Sequence, residues 1–298
     1  MAHEIQDRAR TYAFRPVWRR MSLQLATLSL LAGISVLANE FVLPPPNAGL
    51  NRAISLGLVF VPAFLWLLWS VLSEYKFSRP RRRLIGVAVV SGLTASAIGL
   101  PLVETFFAVD RWLPLQSVFT RIIGYTVTAG VVDVGLKFVV LRYLIYPQGL
   151  RVRSDAVAYA FASAIGYSFF LNLVHVVRLE PTWDVAAMYV LANVAIQFAS
   201  SLFIALGIVE SYFGDAFPLV LPANLLVAAL VAGVITALFP GLLSGLLSQT
   251  GNADRPLYGL GMLVASWCLS LGIAYFLYAT SERREREAFG GRGDFDGI

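Results

Sequence analysis

Asp133 and Lys137 are ionisable residues in the middle of an apolar stretch, Val118 to Tyr146, that is long enough to cross a bilayer. A helix rises about 1.5 Å per residue, so this stretch exceeds the roughly 30 Å of hydrocarbon. An ionised side chain at that depth costs about 2.5–3.5 kcal/mol on insertion scales. Because residues i and i+4 share a helix face, the spacing predicts that the carboxylate and the ammonium pair inside a helix bundle. Such a pair is either structural or functional.

The helices that must position this pair follow from the composition. The chain is 58% hydrophobic and 14% charged, with a mean hydropathy of +0.71, which is typical of an integral membrane protein surrounded by a lipid bilayer. We predict an all-α polytopic bundle of about eight transmembrane helices over residues 21–280. An arm precedes it at 1–20, and a disordered tail follows at 281–298. The apolar runs are 21–38, 53–74, 84–109, 118–146, 155–177, 185–212, 217–239 and 256–280.

The first of these runs has two interpretations. It follows an arginine-rich arm and ends at Val36-Leu37-Ala38, as a cleavable signal peptide does. We favour a retained first span, because seven further spans follow and no exported domain does. The segment after Pro240 is predicted to be interfacial or re-entrant.

The basic residues are distributed by loop. With a cytoplasmic N-terminus, the inside segments hold 17 Lys and Arg and the outside loops hold 4. This asymmetry predicts an even number of spans with both termini cytoplasmic, and it favours a prokaryotic inner membrane. The positive net charge of +5 therefore reflects membrane orientation, and we expect no nucleic acid partner.

Other polar residues lie in the fifth and sixth runs, which hold Asn172 and His175, and Asn193 and Gln197, respectively. The fifth run also begins with many alanine, serine and glycine residues, which predicts that a neighbouring helix approaches it closely. Metal catalysis needs about three converging ligands. The chain has one cysteine and only two histidines, and it lacks P-loop and Gly-x-Ser-x-Gly motifs. We therefore predict no metal site and no cofactor.

The fourth and fifth runs contain a recognisable order of motifs. Asp133-Val134-Gly135-Leu136-Lys137 is followed by a short basic loop, then by Asp155-Ala156-Val157-Ala158-Tyr159 and Gly166-Tyr167-Ser168-Phe169-Phe170-Leu171-Asn172. This order resembles the PrsW family of intramembrane proteases, which carries Glu-Glu-x-x-Lys, Asp-Gly-x-x-Tyr and Gly-Phe-x-x-x-Glu-Asn motifs and a histidine in a later helix. The resemblance covers a core of about 118–212.

The departures from the family pattern fall on its functional groups. Asp133 replaces the first glutamate and Val134 the second, while Leu171 stands before Asn172 where the family has glutamate. Gln197 lies near where the family histidine falls. The resemblance implies that Asp133, Val134, Lys137, Leu171, Asn172 and Gln197 are degenerate motif positions without peptidase activity. Our leading hypothesis is a catalytically inactive protein that binds another transmembrane protein or complex.

Two other functions stay open on the sequence. An altered hydrolytic site would need Asp133, Asn172, His175 and Gln197 to converge around a hydrated cavity. A proton or solute transporter would use Asp133, Lys137 and Glu104 along its path, with helix breaks at Pro101 and at Pro240–Gly245.

Overall fold

The protein is a bundle of membrane-spanning helices. A computed structural model describes residues 22–24, 26–35, 47–72, 81, 83–113, 118–146, 149–150, 153–213, 218–246, 268, 272 and 275–276. Regular structure in these ranges is helical, which confirms the all-α polytopic bundle. Six of the described helices are long and apolar enough to cross a membrane. The predicted eighth span lies almost wholly outside the described residues, so the number of eight and the cytoplasmic termini stay predictions.

The helices are numbered in chain order. A shorter apolar helix, α1, covers Ser22–Ser35 within the predicted first span. The six long helices are α2 (Ala48–Val71), α3 (Leu84–Phe106), α4 (Phe119–Leu144), α5 (Arg153–Leu179), α6 (Trp183–Phe213) and α7 (Val220–Leu246).

The winding of α3 and α4 becomes irregular near Asp133. In α3, wide π-type turns cover Ala95–Gly99 and Pro101–Phe106, and α4 contains a similar segment at Thr126–Gly130. Proline lacks a backbone N–H, so the irregular winding around Pro101 has a local cause. The helix break predicted at Pro240–Gly245 is wrong, because α7 continues as helix to Leu246. Transmembrane helices tolerate such prolines when neighbouring groups satisfy the freed carbonyl.

Helix α6 forms the centre of the bundle. Its most apolar window is 89% buried, compared with 61% for α5 and 28–39% for the other four long helices. It packs against α2, α5 and α7, while α3 packs on α5. The outer helices expose large apolar side chains such as Phe64, Phe119 and Leu226, which a bilayer would cover.

The close approach predicted for the fifth run is confirmed between α5 and α3. A Cβ at Gly166 would collide with the backbone of Ala88, and one at Gly92 would lie 2.8 Å from the Gly166 carbonyl oxygen. Ser91 and Ser163 share a 2.7 Å hydrogen bond across the same contact. Small residues therefore let the two backbones meet, which fixes the height of α5 relative to α3.

Candidate functional site

Asp133 lies on α4 and receives one hydrogen bond on each carboxylate oxygen. The Tyr167 hydroxyl of α5 donates to Oδ1 at 2.6 Å, and the Gln197 amide of α6 donates from Nε2 to Oδ2 at 3.2 Å. The acid therefore connects three helices. Each donor comes from a helix whose position depends on tertiary packing.

Lys137, one turn along α4, is fully buried. Its ammonium donates to Gln197 Oε1 at 2.7 Å and to Ser200 Oγ at 2.6 Å. The sequence predicted a direct pair between Lys137 and Asp133. In the structure the Gln197 amide joins them, accepting from the cation through its oxygen and donating to the anion through its nitrogen. We call Asp133, Lys137, Tyr167, Gln197 and Ser200 the polar cluster.

Gly99 makes room for one member of the polar cluster. A Cβ at this position would lie 2.6 Å from the Tyr167 hydroxyl oxygen, much closer than ordinary van der Waals contact. The absence of a side chain therefore lets the tyrosine reach Asp133. Gly99 ends the first wide-turn segment of α3, so the irregular winding of α3 lies next to the acid.

A cavity of about 190 Å³ lies beside the polar cluster. Residues from α3 to α7 surround it, and Asp133 is its only charged residue among those described. Its lining consists of Gly99, Leu100, Val103, Ala129, Asp133, Leu171, Tyr189, Asn193, Ile196, Gln197 and Thr236. The cavity is large enough for several water molecules, and its wall is part polar and part apolar.

Only some of the predicted motif positions line this cavity. Asp133, Leu171 and Gln197 line it, whereas Val134 is buried in the hydrophobic core. Asn172 is fully buried next to the lining, where its Oδ1 accepts from Asn193 Nδ2 at 2.7 Å. Within the described chain its own Nδ2 has no hydrogen-bond partner. The fold therefore gathers positions 133, 171, 172 and 197 at one place.

Two other predicted residues, His175 and Glu104, do not line the cavity. His175 stacks on Tyr189 with ring centroids 3.5 Å apart and nearly parallel planes, and Tyr189 is the member of this pair that lines the cavity. Glu104 forms an ion pair with Arg178 in which both side chains are about half exposed. Of the three residues predicted to line a transporter path, only Asp133 lines the cavity, while Lys137 and Glu104 lie outside its lining.

Among the described residues, no three His, Cys, Asp or Glu side chains converge as a set of metal ligands. The carboxylate at Asp133 instead has an amide and a phenol as neighbours. These groups can orient a carboxylate through hydrogen bonds. Neither is a ligand that the common catalytic metals prefer.

Sequence reasoning did not single out three of the residues that build this site: Tyr167, Ser200 and Tyr189. Tyrosine and serine are ordinary in transmembrane helices, and their roles follow only from the helix that faces them. One signal was available for Tyr167, which lies at the phenylalanine of the Gly-Phe motif and differs from it by a hydroxyl group.

No protein-family model, curated protein or solved structure matches this chain.

Proposed function

We propose that this multi-pass membrane protein is a catalytically inactive, PrsW-like protein that binds a transmembrane segment of another membrane protein. The observation that carries the proposal is the hydrogen bonding of Asp133. Both of its oxygens are engaged by Tyr167 and Gln197, and Gln197 in turn holds Lys137. Asp133, Lys137 and Gln197 therefore form, with Tyr167, a hydrogen-bonded network that ties α4, α5 and α6 together.

Within the described lining of the cavity, Asp133 is the one carboxylate that could carry the proton transfers of peptide hydrolysis. A water must lose a proton to a base, and the leaving amine must gain one from an acid. Asp133 is the only carboxylate in the lining, and Leu171 and Gln197 cannot transfer protons at neutral pH. Lys137 is held by Gln197 and Ser200 and does not line the cavity. This chemistry supports binding in place of cleavage.

Reconstitution tests the proposal. The purified protein is placed in liposomes with single-span substrates, and cleavage is followed by mass spectrometry. We expect no cleavage from the wild type, from Asp133→Ala or from Glu104→Gln, the last being an acidic control outside the cavity. Cleavage that disappears in Asp133→Ala and persists in Glu104→Gln would refute the inactive state. In parallel, purification of the wild type from native membranes should recover a stable partner protein.

An altered intramembrane protease is the second candidate, because one observation favours it. Asp133 and Gln197 line a single cavity, and Asn172 contacts its lining through Asn193. Three of the four residues that an altered hydrolytic site needs therefore lie together, whereas His175 stacks on the lining residue Tyr189 without lining the cavity itself. The same liposome assay separates the two proposals, since only the enzyme depends on Asp133 for product formation.

We infer that the membrane is a prokaryotic cytoplasmic membrane and that both termini lie inside. The support is the excess of Lys and Arg in alternate loops. A fluorescent protein fused after Ile298 should fluoresce, because this reporter folds in the cytoplasm. A dark fusion that is nevertheless inserted at full length would contradict the orientation.

A further inference from the structure

The polar part of the cavity is rich in hydrogen-bond acceptors. Each oxygen of Asp133 accepts one bond, and a carboxylate oxygen can accept two. Asn193 also lines the cavity; it donates one amide hydrogen to Asn172, and its side-chain oxygen is a further acceptor. Thr236 adds a hydroxyl on the wall formed by α7. A ligand that donates several hydrogen bonds would therefore find partners on three helices.

The charge of the cavity favours a cation over an anion. Asp133 is the only charged residue among the lining residues that the structure describes. Lys137 carries the opposite charge, but its ammonium points to Gln197 and Ser200 and lies outside the lining. A group within the cavity thus meets the carboxylate directly and the ammonium only at a greater distance. Coulomb attraction to the nearer charge dominates.

The rest of the wall is apolar. Leu100, Val103, Leu171 and Ile196 supply branched side chains, and Ala129 supplies a methyl group. A cavity of about 150 Å³ binds benzene, so one of 190 Å³ can hold a ligand of about six non-hydrogen atoms. A short alkyl chain would contact this wall while a polar head reaches the acceptors.

We propose that the cavity is a binding site for a protonated primary amine on a short alkyl stem. The three N–H groups of the ammonium match the acceptors of Asp133, Asn193 and Thr236, and the stem lies against Leu171 and Ile196. Binding of a free amine is independent of the proposed function, whereas binding of a lysine side chain from another transmembrane segment rests on that function and makes it more specific. A free small amine and the lysine side chain of another transmembrane helix present the same chemistry.

The test uses the full chain in nanodiscs with n-butylammonium chloride as the probe. We expect saturable binding by calorimetry and a raised unfolding temperature. n-Butanol and sodium butyrate, of similar size, should bind at least tenfold more weakly because they lack the charge or reverse it. An equal effect from sodium chloride or from butanol would overturn the proposal.

Three variants make the test specific. The double variant Asp133→Asn, Lys137→Met removes both charges together, so that no unpaired charge is left buried, and should weaken amine binding ten- to a hundredfold. Ala129→Leu fills part of the cavity one turn before Asp133 on α4, leaves every residue of the polar cluster unchanged, and should also abolish binding while the protein stays folded. Glu104→Gln is the acidic control and should bind normally. Undiminished binding in a folded Ala129→Leu protein would place the amine elsewhere and refute the site.

A second experiment distinguishes the two sources of the amine. A single-span peptide with one central lysine is compared with its leucine counterpart for association in the same nanodiscs. Lysine-dependent association that butylammonium inhibits identifies a partner's side chain as the ligand. Butylammonium binding with equal association of both peptides identifies a free amine. Failure of both butylammonium and the lysine peptide refutes the proposal, while leaving the absence of peptidase activity untouched.

Discussion

Gln197→Leu is the substitution that most directly probes the polar cluster. The Gln197 amide donates to Asp133 Oδ2 at 3.2 Å and accepts from Lys137 Nζ at 2.7 Å. Leucine has a similar volume but removes both bonds at once. Hydrogen bonds to charged groups contribute about 1.5–3 kcal/mol each. We therefore expect the free energy of unfolding to fall by about 3 kcal/mol or more.

A matched control exists in α1. Gln24 is also buried, with 1% of its surface exposed, but it makes one neutral hydrogen bond, from Nε2 to the Pro62 carbonyl oxygen at 2.9 Å. Neutral interhelical bonds contribute about 0.6 kcal/mol on average in bilayers. Gln24→Leu should therefore cost about 1 kcal/mol or less. Equilibrium unfolding in phospholipid bicelles, followed by circular dichroism, measures both variants.

A double-mutant cycle completes the argument. In the background Asp133→Asn, Lys137→Met, the Gln197 amide has neutral neighbours, so Gln197→Leu should cost only about 1 kcal/mol. The difference between the two backgrounds is the energy of bridging the charges. If Gln197→Leu costs the same in both backgrounds, and no more than Gln24→Leu, the bridging interpretation is refuted.

Four further single substitutions follow from the packing and from two ion pairs. Gly99→Ala places a Cβ 2.6 Å from the Tyr167 hydroxyl, so it should destabilise the protein, and the added change Tyr167→Phe should recover part of the loss in the same unfolding assay. Gly166→Ala collides with the backbone of α3 and should lower stability by several kcal/mol, because a backbone cannot yield as a side-chain tip does. Arg81→Gln breaks a 2.6 Å ion pair with Asp155 in which both side chains are buried, so it should lower the free energy of unfolding by about 3 kcal/mol. Arg52→Gln breaks an ion pair with Glu180 in which both side chains are more than half exposed, so it should lower the free energy of unfolding by only about 0–1 kcal/mol.

A control for the two glycine changes lies on a different helix. At Gly135 on α4 an added Cβ meets nothing within 4 Å, so Gly135→Ala should be neutral or stabilising by up to about 1 kcal/mol. A loss as large as that of Gly166→Ala would contradict the close-approach argument. Gly99→Ala that is equally harmful with phenylalanine at 167 would show that the hydroxyl is not the obstacle.

The sequence predicted several residues of the site but only some of their contacts. The sequence identified Asp133, Lys137 and Gln197 as buried polar residues, because charged and amide groups are rare in apolar runs and each needs a partner. It also predicted the close packing of the fifth run, which the contact at Gly166 confirms. It predicted the wrong partner for Lys137, since i,i+4 spacing permits a direct pair but says nothing of a third residue that reaches between.

By itself the sequence determined that this is a helical membrane protein, because the apolar run length and the cost of unsatisfied backbone groups in lipid leave few other structures for such a composition. It also determined which polar groups the bundle must accommodate. Only the tertiary structure decided which of these polar side chains form hydrogen bonds with one another. Tyr167, Gln197 and Ser200 reach Asp133 and Lys137 because α5 and α6 cross α4 at particular heights, and those heights depend on backbone contacts such as that between Gly166 and Ala88. Such contacts join residues far apart in the chain, so no local pattern encodes them.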